Sequence, residues 1–154
     1  MVGKLGRRGL VVVALAALGL AASGIGLAAR SETSKLSATL NAKSEVPKQA
    51  VATPAAVGKF VGTLTESGSS KTIKWTLTFS KLSGPAGAAH IHLGKAGKAG
   101  AVIVPLCGPC KSGAHGTVKV TEKIVKAIES GAAYVNIHTT KNPAGEIRGQ
   151  IAYS

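Results

Sequence analysis

The 154-residue chain contains no aspartate, and its six acidic residues are all glutamate: Glu32, Glu45, Glu66, Glu122, Glu129 and Glu146. That excludes Asp-based calcium loops, Ser-His-Asp triads and Asp-nucleophile phosphoryl chemistry. No two glutamates share a suggestive spacing, so paired-carboxylate hydrolysis has no support and no catalytic residues are expected. Aromatic residues are also scarce, at 3% of the chain. Single-strand nucleic-acid binders interleave aromatics with clustered Lys and Arg. Here the lysines run singly from Lys35 to Lys141, and no nucleic-acid partner is expected.

Positive charge is plentiful, with 19 Lys and Arg. Lys4, Arg7 and Arg8 precede an uncharged apolar run over residues 10–29, which closes on small residues. A basic start, an apolar run and small pairs at Ala22/Gly24 and Gly26/Ala28 read as a signal peptide over residues 1–29. If it is not cleaved, the same run is long enough to serve as an N-terminal anchor, because about 20 apolar residues span a bilayer. The expectation is a secreted or extracytoplasmic protein that touches membrane only through residues 10–29. Beyond the leader the chain stays basic. Its partner is then an extracellular protein or an anionic cell-surface polymer, or its charge is simply solvated.

Residues 30–35 read as a polar linker. From Leu36 onward the pattern has period two. In KTIKWTLTFS, Ile73, Trp75, Leu77 and Phe79 face one way and Thr72, Lys74, Thr76 and Thr78 the other, the signature of a half-buried strand. Leu36, Ala38 and Leu40 alternate likewise, and the tetrad at 67–70 reads as a hairpin turn between two strands. Further strands are expected at 89–93, in AVIVPL, at 116–121, in AYVNIHT and in EIRGQIAY. KNPAG makes the turn between the last two. Residues 121–131 instead show a helical stripe of Ile124, Val125 and Ile128, with Thr121 as N-cap and Gly131 near the C-cap. About eight short strands and one connecting helix predict an all-β sandwich or barrel in one domain.

Four pieces occur in a recognisable order: AKSEVP at 42–47, TPAAVGKF at 53–60, LSGPAGAAHIHLGKAGKAG at 82–100 and YVNIHTTKNPAGEIRGQI at 134–151. Together they resemble the CHRD (chordin) domain, in its single-domain exported bacterial form, over residues 36–154. The resemblance implies an immunoglobulin-like β-barrel or sandwich and an extracellular module, and does not by itself imply an enzyme.

His90 and His92 are two residues apart on a strand, so their side chains share a face. His138 shares a face with Tyr134 and Asn136 on another strand. If those strands are neighbours, three imidazoles converge, and neutral imidazole suits Cu or Zn. The alternative is three histidines that satisfy local hydrogen bonds. A His-x-His strand before a glycine-rich loop also resembles the copper site of copper/zinc superoxide dismutase, a β-sandwich. That two-metal site needs six histidines and an aspartate, and this chain has four histidines and no aspartate. Cys107 and Cys110 sit in CGPC, the spacing of thioredoxin-type redox motifs. No helix-forming sequence follows, and the chain is read as exported, so a structural disulfide is expected. Glu146 and Arg148, two apart in the last strand, are expected to form an ion pair. The alternative is that Glu146 orients His138.

Overall fold

In a computed structural model the described residues are 30–49 and 53–154. The leader expected at 1–29 lies outside them. No helix among the described residues is long and apolar enough to cross a membrane.

The chain forms β1 (Ser31–Asn41), a 3-10 turn (Ala42–Ser44), β2 (Val57–Ser67), β3 (Ser70–Ser80), β4 (Ala86–Leu93), β5 (Val102–Cys107), β6 (Ala114–Lys119), α1 (Glu122–Glu129), β7 (Ala133–Thr139), β8 (Ile147–Gln150) and β9 (Ala152–Tyr153). The strands pair antiparallel in the order β5-β4-β7-β8-β1-β2-β3-β6, with β9 beside β1. The end strands β5 and β6 lie close to each other. The sheet is therefore a nearly closed barrel, all-β with one short helix. Closure leaves little edge exposed.

The alternating residues fill the barrel. Leu36, Leu40, Phe60, Leu64, Ile73, Leu77, Ile91, Val135, Ile137 and Ile147 are buried in one cluster. Each such side chain is worth roughly 1.5–3 kcal/mol of transfer free energy. Trp75 fits because Gly116 lies opposite on β6, where a Cβ would stand 3.0 Å from the indole. The β2–β3 hairpin turns through Gly68, with φ at 56°, between the paired Ser67 and Ser70. Helix α1 buries Val125 and Ile128. Thr121 holds the N-cap position without a side-chain cap bond, and Gly131 follows the helix with φ at 67°.

Two expectations need correction. The residues read as a linker at 30–35 are strand from Ser31 onward, paired with Thr63–Ser67. Residues 30–35 are themselves all polar, so no apolar alternation marks them as strand. The stretch EIRGQIAY is not one strand. Its chain breaks at Ile151, which is buried and whose amide bonds to Ala133 O at 3.0 Å. Pairing then passes from β7 to β1.

Candidate metal centre

Strand β4 pairs with β7, and this brings the predicted histidines together. The register sets His90 opposite Asn136, His92 opposite Tyr134 and Ala88 opposite His138. Ala89, Ile91, Val135 and Ile137 point into the barrel, so the three imidazoles share the outer face. On the other side of β4, pairing with β5 shifts register between Ala89 and His90 and between Ile91 and His92. Bulges of this kind re-aim side chains.

The ligand-capable atoms of His90, His92 and His138 all lie within 4.8 Å of one another. The ring centroids are 5.0 Å (His90–His138), 5.5 Å (His92–His138) and 5.6 Å (His90–His92) apart. His92 Nδ1 donates to Gly100 O at 2.9 Å and His138 Nδ1 donates to Pro143 O at 3.0 Å. A carbonyl can only accept, so each bond fixes the proton on Nδ1 and leaves a lone pair on Nε2. His92 Nε2, His138 Nε2 and His90 Nδ1 are buried and have no hydrogen-bond partner in the protein. Burial lowers the proton affinity of all three rings. Neighbouring charge adds to this, from His92 at His90, from Arg148 at His92, and from His90 and His92 at His138. They are neutral at pH 7, the form that binds metal. Three nitrogens at about 2.0–2.1 Å from one ion stand about 3.4 Å apart. Small torsions of these side chains close such a shell, so the residues present fit Cu or Zn. The fourth histidine, His115, is exposed on β6 and bonds Gly113 O. It does not join the cluster.

A polar layer surrounds the histidines on the same outer face. Tyr134 stacks on His92, with centroids 5.0 Å apart and planes 14° apart, and Arg148 lies 3.3 Å over the Tyr134 ring. Asn136 Nδ2 donates to Glu45 Oε2 at 3.4 Å. Glu45, Tyr134, Asn136 and Arg148 are at most 3% exposed. Burial pushes the Glu45 carboxyl up to about 7, against the lowering effects of Arg148 and the Asn136 bond. The loop after β4 roofs the layer through its carbonyls. Gly94 O accepts from Gln150 at 2.7 Å, Lys95 O from Arg148 at 3.0 Å and Gly100 O from His92. Gly100 is required there, because a Cβ would collide with Leu93 O.

Glu146 and Arg148 do not form the expected ion pair. Gly145, with φ at 132°, bends the chain so that Glu146 precedes β8 and points away from Arg148. A Cβ at Gly145 would collide with the Asn136 amide. Glu146 instead accepts from Ser83 N (2.5 Å), Ser83 Oγ (2.6 Å), Thr139 Oγ1 (2.6 Å), Asn142 Nδ2 (3.0 Å) and Thr53 Oγ1 (3.3 Å). Burial opposes ionisation, but the bonds from Ser83, Thr139 and Asn142 outweigh it and hold the carboxyl below its usual range. Glu146 therefore braces the turn that carries Pro143, whose carbonyl orients His138. It has no direct bond to that ring.

Cys107 and Cys110 form the disulfide. Cys110 N donates to Ala86 O at 2.9 Å, so the bridge fastens the end of β5 to the start of β4. No helix follows it. The anchor is the strand that carries His90 and His92.

The small antiparallel barrel is an all-β module that brings together, on one outer face, three imidazoles that could hold a metal ion. The chain belongs to the CHRD domain family, whose model matches residues 36–151. No curated protein and no solved structure matches it. Sequence reasoning found the histidines and set Tyr134 and Asn136 on the face of His138, and it missed Glu45. One signal could have found it: Glu45 lies in the AKSEVP piece.

Proposed function

We propose that this CHRD module works outside the cytoplasm as a binding protein and holds one Cu or Zn ion through His90, His92 and His138. One observation carries the reading. Three neutral imidazoles from two paired strands present buried lone pairs toward one another, and two have their tautomers fixed by carbonyls. Leaving three buried acceptors unmet costs free energy that a bound ion recovers. The basic leader and apolar run support export, and the family resemblance supports an extracellular role. Structural histidines would instead spend both ring nitrogens on protein partners.

The test is metal content after dialysis against trace Cu and Zn. About one ion per chain is expected in the wild type, and a large loss in His92→Ala. No metal above background, or retention untouched by the substitution, overturns the reading.

A further inference from the structure

We propose that the metal centre keeps one coordination position open for a small protic oxygen ligand, water in the resting state, held by Glu45, Asn136 and Arg148. This rests on the metal reading above. Among the described residues, the buried side-chain polar atoms with no partner in the protein are six, and all lie in this one layer. An ion accounts for the three imidazole nitrogens. Glu45 Oε1, Asn136 Oδ1 and Arg148 Nη1 remain. That leaves two acceptors and one donor.

Water matches this count. It donates twice, to Glu45 Oε1 and Asn136 Oδ1. It accepts once from Arg148 Nη1, and its other lone pair faces the ion. The Asn136 orientation follows from its Nδ2 bond to Glu45 Oε2, which leaves Oδ1 as the free end. Placement agrees. Asn136 lies opposite His90 on β4 and opposite Arg148 on β8, two residues from His138 on the same face. Among the described residues no further His, Cys or Glu joins the three histidines in the cluster. A three-ligand shell with an exchangeable fourth position is the usual open metal site.

A cavity of about 350 Å³ adjoins the layer. It is lined by Lys43, Glu45, Lys48, Ala96, Gly97 and Arg148, among others, and gives small ligands a way in. The charged groups around Glu45 are Arg148 on β8 and Lys48 on the following loop, with Lys43 on the turn and the His92 ring beyond Tyr134. A ligand entering this position meets two lysines, one buried arginine and one carboxylate.

The full chain loaded with Co(II) makes the position visible, with sodium azide as the probe at pH 8. Azide should change the Co(II) visible spectrum and saturate. Glu45→Gln, which keeps the shape and removes the negative charge, should bind azide about tenfold tighter, and Glu129→Gln on the exposed end of α1 should match the wild type. Arg148→Lys is the second variant should Glu45→Gln not fold, and there azide should bind several-fold more weakly. Failure to bind Co(II) at all overturns the metal reading itself. Co(II) bound with a spectrum indifferent to azide shows a closed shell and overturns only this inference. Azide binding that neither variant alters places Glu45 and Arg148 away from the position and also overturns it.

Discussion

On β3 burial alternates residue by residue. Ile73, Trp75 and Leu77 go inside, while Lys74, Thr76 and Thr78 meet water. On β7, six of seven residues are buried, so both faces are covered. The β1–β2–β3–β6 half of the barrel is a sheet with one wet face. The β4–β7–β8 half carries a second interior, polar in composition, between the sheet and the roof of residues 94–100. Every unpartnered buried side-chain atom among the described residues lies there and none in the first half. One half is stabilised by apolar burial with its polar groups satisfied. The other concentrates its unmet bonds in one place, and that is where a ligand can be recognised.

Three substitutions test this contrast. The largest effect belongs to the shared core. Phe60→Ala should cost about 3–5 kcal/mol, typical of a buried aromatic truncation, as read by chemical denaturation. A cost below 1 kcal/mol would mean that the barrel interior is not what holds the halves together. Next comes the buried outer layer in the metal-free protein. Glu45 has its proton affinity raised to about 7, above the unfolded value near 4.3. The folded state therefore binds the extra proton, and the contribution of Glu45 to stability is present at low pH and is lost as pH rises from about 4.3 to about 7. Glu45→Gln should flatten that fall and be more stable than wild type at pH 8. Equal pH slopes for the two proteins would show that Glu45 is solvated. The smallest effect is Thr76→Ala on the wet face of β3, expected within about 0.5 kcal/mol of wild type. A cost well beyond that would reveal a second buried surface on the first half.

The alternation of Ala89 and Ile91 with His90 and His92 was readable as period two, and it placed both imidazoles on one face. The same period put His138 with Asn136 and Tyr134. The pairing of β4 with β7, separated by about forty residues, was not readable, because register between distant strands depends on the whole sheet. Glu146 misled for a local reason. The period-two reading assumed an extended chain, and Gly145 turns it. Arg148 was placed on the right strand with the wrong partner, because an aromatic ring and a loop carbonyl take up its guanidinium. The polar start of β1 reads as linker because residues 31–35 carry no apolar side chain. For the β4–β7 register and for the partner of Arg148 the missing information was tertiary.

The roof over the polar layer is held by carbonyl oxygens of Gly94, Lys95 and Gly100. Its own side chains take no part in those bonds. The wall of the opening can thus be redecorated at Lys95, Ala96 and Lys98 while the floor stays fixed, provided Gly94, Gly97 and Gly100 are kept. Seen this way, Lys95, Ala96, Lys98 and Ala99 are an interchangeable mouthpiece on a constant socket, set on a glycine frame at Gly94, Gly97 and Gly100.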